Sequence, residues 1–247
     1  ITLYTDIEER IPQIKSDLKK KIELDIDSVP KEEKMLAKII QNKSENNLFL
    51  LTTDNNQKRY NFIVKLLKRL LQKNKNTILL IPEIEKEQIF LEQLSELFSG
   101  EIAFLHSKLT RGERFDQWQQ IKKSELKIAV GARTAVFAPF SKLDAVIIME
   151  ENKDSYKGQE HPLYHARQIA VKRLQKNNSL LLLESPFPSI ESKYHALEGE
   201  YQQLDLRAEK NKFSQKLVDM KKEIEKGNLS DLSQELKKEI KINLDKN

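Results

Sequence analysis

A lysine and two glutamates stand where a nucleotide-hydrolysing enzyme would need them. Lys58 follows an apolar run and precedes a helical stretch, the usual setting of a phosphate-binding loop. Glu150 and Glu151 follow a second apolar run, where metal-dependent phosphoryl transfer uses acidic residues to orient Mg²⁺ and polarise water. These residues raise the hypothesis of ATP chemistry.

The residues around Lys58 lack the glycines that such a loop requires. The pattern G-x-x-x-x-G-K-[ST] lets backbone N–H groups approach phosphate oxygens, and its hydroxyl holds Mg²⁺. Here Thr52 and Gln57 occupy the glycine positions, and Arg59 replaces the hydroxyl residue. Met149 stands before the two glutamates, where an aspartate would be expected. An ordinary strand-to-helix turn and a solvated pair of acids are therefore the simpler interpretations.

Two further loops combine basic, hydroxyl and aromatic side chains that could contact nucleic acid. Arg133 and Thr134 follow an apolar run through Gly131, so a guanidinium, a hydroxyl and backbone amides could meet a phosphate there. Residues 153–167 mix aromatic and basic residues, which can stack on bases and neutralise phosphates. His161 and His165 lie four residues apart, but no third ligand accompanies them, so we expect hydrogen bonding rather than zinc.

The chain supplies a scaffold for these residues by alternating apolar runs with helical stretches. The runs are at 48–53, 77–82, 102–106, 126–131, 145–150 and 179–185, and the helical stretches at 28–43, 58–73, 86–98, 111–123 and 162–176. Continuous apolar runs predict strands buried on both faces, and the alternation predicts parallel strands joined by crossovers. We predict an α/β fold with an open, mostly parallel sheet, helices on both faces and ligands at the carboxyl ends of the strands.

Composition narrows the classes of protein. The 247 residues are 38% apolar and 33% charged, with a net charge of +5 and no cysteine. This is enough apolar content for a core at this length. Disulfides and thiolate zinc sites are excluded, and no apolar run is long enough to span a membrane. The mild positive excess permits nucleic-acid binding without requiring it. After about residue 208 the chain becomes rich in lysine and glutamate, with helices expected near 212–226 and 229–242.

Several segments together resemble the PriA family of replication-restart helicases, which are superfamily 2 DNA helicases. The segments are TILLIPEI (77–84), AFLHSKLTRGERFDQW (103–118), KIAVGARTAVFAPFSKLDAVIIMEEN (127–152), DSYKGQEHPLYHARQIAVKR (154–173) and LLLLESPFPSIESKYHALEGEYQQLDL (180–206). The resemblance implies a RecA-like first helicase lobe, with the fold type of P-loop NTPases, over 31–208. It also implies a charged segment or linker over 1–30 and, over 209–247, a helical connection toward a second lobe that is absent from this chain.

The resemblance also implies roles for individual residues. Those carried over as DNA-binding are His106, Ser107, Lys108, Arg133, Thr134, Tyr156, Lys157, Tyr164, His165 and Arg167. The ATP-facing positions depart from the family. The phosphate loop (Walker A motif) is degenerate, the Asp-Glu-Glu-His box reads Met149 to Asn152, and the Ser-Ala-Thr-Pro-Ser motif reads Ser185 to Ser189. Lys58, Glu150 and Glu151 are then vestigial, and no catalytic site is expected intact.

Three functions follow as hypotheses. The first is a pseudohelicase, a pseudoenzyme that binds forked or single-stranded DNA through backbone contacts, or replisome and primosome proteins, with no cofactor and no metal. The second is an active ATP-dependent 3′-to-5′ helicase that uses Lys58, with Glu150 or Glu151 on Mg²⁺. The third is a protein-interaction module without DNA binding. The resemblance implies a cytoplasmic, nucleoid-associated bacterial protein in each case.

Overall fold

Seven short parallel strands form one sheet in the part of the chain that the computed structural model describes, residues 30–41, 47–106, 109–158, 161, 163–174, 179–207 and 217–244. The strands are β1 (Leu48–Thr52), β2 (Thr77–Leu80), β3 (Ile102–Leu105), β4 (Ile128–Gly131), β5 (Ala145–Ile148), β6 (Leu180–Glu184) and β7 (Gln202–Asp205). Their order across the sheet is β3-β4-β2-β5-β6-β1-β7, and every neighbouring pair is parallel. The predicted open parallel sheet is confirmed.

Helices connect the strands. They are α1 (Pro30–Gln41), α2 (Asn56–Gln72), α3 (Gln88–Leu97), α4 (Arg111–Lys122), α5 (Ala166–Leu174) and α6 (Ile190–Leu197), with short 3₁₀ turns at Ile84–Lys86, Arg133–Phe137 and Asp154–Tyr156. The bounds of each helix lie within a few residues of those of its predicted stretch, except for α6, which was not predicted from the sequence. Residues 28, 29, 42 and 43 of the first predicted helix, and 162, 175 and 176 of the fifth, lie outside the described residues.

Both faces of the sheet are buried, as the continuous apolar runs predict. Along β1, Phe49 and Leu51 join one hydrophobic cluster while Leu50 joins the other. The alternation follows from the two-residue period of a strand, which sends successive side chains to opposite faces. In β2, Leu79 belongs to the first cluster and Ile78 to the second. The two packed faces hold the strand ends in fixed positions.

The order of the strands brings three chemically interesting ends together. β5, β6 and β1 are consecutive in the sheet, with Ile148 paired with Leu183, and Leu51 with Glu184. Their carboxyl ends therefore lie side by side, which is where open parallel sheets place their sites. The residues that follow these strands form the candidate site described below.

Gly131 ends β4 at a point where a side chain has no room. A Cβ there would lie 2.4 Å from the carbonyl oxygen of Leu105 and 2.7 Å from the Cβ of Ala135. Gly112, in the first turn of α4, has nothing within 4 Å of the same position. Gly131 is thus needed for the close approach of β3 and the 3₁₀ turn, whereas Gly112 is not.

The described residues of Ile1–Arg207 form one compact unit and those of Ala208–Asn247 a second. The second unit contains α7 (Met220–Glu225) and α8 (Gln234–Leu244). Residues 212–216 of the first predicted helix lie outside the described part, and the second helix begins at Gln234, later than predicted, because residues 229–233 are not helical. Within the described residues, no helix is both long and apolar enough to cross a membrane.

Candidate nucleotide and nucleic-acid site

The turn between β1 and α2 is closed by its own side chains. Asn55 has extended backbone (φ −154°, ψ 161°), and its side chain accepts a hydrogen bond from the N–H of Lys58 at 2.8 Å. The N–H of Arg59 donates to the carbonyl of Asn55 at 3.3 Å. An N-cap of this kind satisfies amides that a phosphate-binding loop would turn toward its ligand. The turn is an ordinary helix start.

The ammonium of Lys58 is also held by the protein. It donates to a carboxylate oxygen of Asp54 and to the carbonyl of Leu206, at 3.0 and 3.4 Å. The pair with Asp54 is about one-third exposed, so solvent screens it. The sequence predicts Lys58 as a vestigial phosphate ligand. In the structure its ammonium contacts Asp54 and Leu206 and does not face an open loop.

Arg59 is buried among carboxylates that come from three other elements. Its guanidinium lies 2.6 Å from Glu150, 3.5 Å from Glu87 and 3.9 Å from Glu184, and only 2% of its side chain is exposed. Burial opposes the charge, but the field of Glu184 and hydrogen bonds to Tyr60 and Glu150 outweigh it and raise the pKa of Arg59. The guanidinium is a fixed positive charge at the ends of β5 and β6.

The carboxylates around Arg59 are held in place by further hydrogen bonds. The fully buried Glu184 accepts from the hydroxyl of Thr53 at 2.6 Å and from the N–H of Glu150 at 3.2 Å, and burial raises its pKa. Glu150 adopts a left-handed backbone (φ 44°), which is uncommon outside glycine and directs its N–H toward Glu184. Burial opposes its ionisation, but the hydrogen bond and field of Arg59 hold the pKa of Glu150 below its usual value.

Tyr60 and Glu87 complete this side of the cluster. The Tyr60 hydroxyl donates to Glu87 at 2.5 Å, and its ring stacks on Phe90 with centroids 4.3 Å apart. Burial and the bond to Glu87 raise the pKa of Tyr60 to about 12, so the hydroxyl keeps its proton near neutral pH. Sequence reasoning missed Arg59, Glu184 and Glu87. The sequence does contain one signal: Glu184 ends the apolar run of β6, and a buried carboxylate is stable only when a cation or hydrogen-bond donors pair with it.

The second glutamate, Glu151, is committed to a separate network. Its buried carboxylate accepts from Arg167 at 2.5 Å, from the N–H and hydroxyl of Ser189 at 2.7 and 3.0 Å, and from the hydroxyl of Ser192 at 2.9 Å. Arg167 also donates to both hydroxyls at 2.7 Å, and 13% of its side chain is exposed. Its Nη1 is thus engaged by Glu151 and the α6 serines, and its assignment to DNA binding stays a prediction.

In addition to the bonds from Ser189 to Glu151, a contact of Ser185 joins the acidic box (Met149 to Asn152) to the motif after β6 (Ser185 to Ser189). The hydroxyl of Ser185 donates to the side-chain oxygen of Asn152 at 2.8 Å, and its oxygen accepts from the N–H of Phe187 at 3.1 Å. The loops after β5 and β6 are thus tied together even though their sequences depart from the family pattern.

Tyr156 is a core residue rather than a surface one. It is 1% exposed, and its hydroxyl donates to the carbonyls of Leu80 and Met149 at 3.1 and 2.6 Å. A ring in this position cannot stack on a base, so the assignment of Tyr156 to DNA binding is corrected. Its role is to pack the loop after β5 onto the sheet.

Four of the remaining candidates for DNA contact, Arg133, Lys157, Tyr164 and His165, lie on one surface. Arg133 donates to the carbonyl of Lys157 at 2.7 Å, and Lys157 forms an isolated antiparallel bridge with His165. Tyr164 meets the half-exposed Phe137 edge to face at 5.2 Å. Burial and the nearby charges of Arg167 and Lys157 lower the pKa of His165.

We call this patch the basic aromatic surface and define it by Arg133, Phe137, Lys157, Tyr164 and His165. Thr134 is exposed beside it, and His106 is half-buried after β3. Ser107 and Lys108 lie outside the described residues. The five defining residues come from the loop after β4 and from the segment that precedes α5, so the fold brings together two of the loops singled out in the sequence.

The groups that would meet ATP and Mg²⁺ at this site are engaged by contacts within the protein. Asn55 accepts hydrogen bonds from the amides of Lys58 and Arg59 in the first turn of α2. Asp54 and Leu206 hold the Lys58 ammonium, and the Arg59 guanidinium lies between the carboxylates. Among the described residues, no group of three or more histidines, cysteines, aspartates or glutamates is arranged to hold a metal ion.

Comparisons with known proteins place the chain. No protein-family model matches it. The replication restart protein PriA of Bacillus subtilis is 35% identical over 199 residues, which is 79% of this chain and 25% of that protein. PriA of Treponema pallidum is 37% identical over 138 residues, 56% of this chain and 21% of that protein. Over this part of its length the chain is a homologue of PriA.

The chain spans about a quarter of the length of these PriA relatives. The helicase domain of Pyrococcus furiosus Hef superposes with a TM-score of 0.51 at 14% identity, covering 71% of this chain and 37% of that one. This likeness concerns the fold alone, which is the RecA-like fold of helicase domains. The predicted resemblance to PriA and the predicted fold are both confirmed.

Proposed function

We propose that this lobe is a PriA-like pseudohelicase that binds DNA in the context of replication restart without hydrolysing ATP. The observation that carries the proposal is the closed turn ahead of α2, where Asn55 caps the helix and Asp54 holds Lys58. A triphosphate would have to displace these internal contacts and approach a backbone that carries side chains in place of glycines. Loss of phosphate cradling removes a contribution worth orders of magnitude in rate.

DNA binding is supported by the basic aromatic surface. Lys157 is well exposed, and its ammonium pairs with the exposed carboxylate of Asp154 at 2.7 Å. Exposed cations next to Phe137 and Tyr164 suit a strand whose phosphates are neutralised while a base meets an aromatic ring. Such binding is independent of sequence and weakens steeply with salt.

The test combines DNA binding with ATP turnover. Labelled single-stranded and forked DNA are titrated at low and moderate salt, and ATP hydrolysis is followed with and without the same DNA. We expect binding that weakens with salt, and no turnover above the protein-free rate. Turnover that disappears in Lys58→Ala would favour the active helicase. Absence of binding at low salt would favour the protein-interaction module.

A pair of variants locates the surface. Lys157→Ala should weaken binding and reduce the slope of log affinity against log salt by about 1, as expected for one lost phosphate contact. Lys142→Ala is the matched control, because Lys142 is similarly exposed but precedes β5, at the amino-terminal ends of the parallel strands, whereas the basic aromatic surface follows their carboxyl ends. Equal effects of the two variants would mean that the basic aromatic surface is not the binding site.

A further inference from the structure

The carboxylates that converge at the ends of β5 and β6 form a cluster that needs a cation. Glu150 follows β5, Glu184 ends β6 and Glu87 precedes α3, so three separate elements bring negative charge to one place. Glu184 is fully buried and Glu87 nearly so. Buried carboxylates that face one another destabilise a fold unless a positive charge lies among them.

The positive charge at this place belongs to a side chain of the protein. The two terminal nitrogens of Arg59 make the contacts at 2.6, 3.5 and 3.9 Å, and Nε has no hydrogen-bond acceptor among the described residues. Carboxylate oxygens that bind one Mg²⁺ must approach a single point to about 2.1 Å. The planar guanidinium instead lies among the carboxylates, with Nη1 facing Glu150 and Glu184 and Nη2 facing Glu87.

We infer that the Arg59 guanidinium is the permanent cation of this carboxylate cluster and that it keeps a divalent metal ion out. The inference rests on the proposed function, since it concerns the same strand ends, and it adds a structural role. The chain needs no metal to neutralise Glu150 and Glu184 because α2 carries the cation covalently. The cluster is then a cation site whose occupant cannot dissociate.

The test uses Mn²⁺ as the probe and thermal unfolding as the readout, with neither nucleotide nor DNA present. The variant is Arg59→Ala. Arg69→Ala is the matched control, because Arg69 lies on the same helix and pairs with Glu33 at a site that is one-third exposed. Wild type and Arg69→Ala should not respond to Mn²⁺. Arg59→Ala should melt lower without metal and recover by about 3–6 °C at a Mn²⁺ concentration ten times its Kd.

Two results would overturn the inference. One is an Arg59→Ala protein whose melting temperature responds to Mn²⁺ no more than that of the control. The other is tight Mn²⁺ binding by wild type that is lost in Glu150→Gln, detected by electron paramagnetic resonance. If Arg59→Ala does not fold, the double variant Arg59→Met with Glu150→Gln replaces it. A folded double variant supports the inference, because the damage then comes from uncompensated charge, whereas an unfolded one contradicts it.

Failure of this inference can be distinguished from failure of the proposed function. A negative Mn²⁺ result on Arg59→Ala leaves the absence of ATP turnover by wild type untouched. Conversely, ATP turnover by wild type would overturn the proposed function whatever Mn²⁺ does to the variant.

Discussion

Replacing Arg167 with alanine should destabilise the lobe while leaving the intrinsic affinity for DNA unchanged. The side chain donates to the buried carboxylate of Glu151 and to the hydroxyls of Ser189 and Ser192. Alanine would leave Glu151 charged and without its cation. The structure thus gives Arg167 a structural role, in contrast to the DNA contact that the sequence suggests.

The expected loss of unfolding free energy depends on the hydrogen bonds that Glu151 retains in the variant. Removing one partner of a buried ion pair costs about 3–5 kcal/mol. Ser189 and Ser192 still supply three hydrogen bonds to Glu151 in the variant, and Arg167 is partly exposed. We therefore expect a loss near the lower end, about 3 kcal/mol, out of the roughly 5–15 kcal/mol that stabilise a typical domain.

Urea unfolding followed by circular dichroism measures this loss. With a denaturant slope of about 2–3 kcal/mol per molar, the midpoint should fall by about 1–1.5 M. Lys172→Ala, an exposed change on the same helix, is the control and should shift the midpoint little. Adding Glu151→Gln to Arg167→Ala should recover part of the stability, because it removes the unpaired charge.

A loss of less than about 1 kcal/mol, the value expected of an exposed pair, would refute this reasoning. So would a large loss of DNA affinity in Arg167→Ala under conditions where the variant is fully folded. Either result would return Arg167 to the DNA-binding set.

Three further predictions concern single positions. Asn55→Ala should lower the free energy of unfolding by about 1 kcal/mol, because the helix loses its N-cap. Asn56→Ala, in the first turn of the same helix, should lower it less. Equal losses of stability in chemical denaturation would contradict the capping role of Asn55. Gly131→Ala should lower the free energy of unfolding by about 1–3 kcal/mol through steric overlap, whereas Gly112→Ala should leave it unchanged or raise it by up to about 1 kcal/mol. An unchanged melting temperature of Gly131→Ala would mean that β3 can shift to make room for the methyl group. The folded-state pKa of Glu150 lies below its usual value, so ionised Glu150 stabilises the fold fully above that usual value, and this stabilisation is lost as the pH falls through the folded-state pKa. Glu150→Gln should therefore weaken the dependence of the unfolding free energy on pH in the acid range. An unchanged dependence in the acid range would contradict the pairing of Glu150 with Arg59.

The sheet was predictable because its strands are buried on both faces. Six apolar runs each form a strand, because a strand covered on both faces has apolar residues at consecutive positions. β7 was missed because its residues are mostly polar, and Leu204 is the one buried side chain in it. It lies at the edge of the sheet, where a strand needs to bury little.

The site was less predictable than the fold because its contacts join residues far apart in sequence. The deviant residues around Lys58 were evident from the sequence, but the pairing of Arg59 with Glu150 and Glu184 depends on strand order. Composition alone also cannot tell which side of a loop a residue faces. Tyr156 and Arg167 belong to an aromatic and basic segment, yet the fold turns the first into the core and the second onto Glu151.

Isothermal titration calorimetry of the chain with ATP and Mg²⁺ tests the closed turn most directly. We predict no saturable heat at any ATP concentration up to the millimolar range, for wild type and for Lys58→Ala alike, because Asn55 and Asp54 occupy the groups that would bind phosphate. Sub-millimolar binding by wild type that disappears in Lys58→Ala would contradict the proposal and indicate a working nucleotide site.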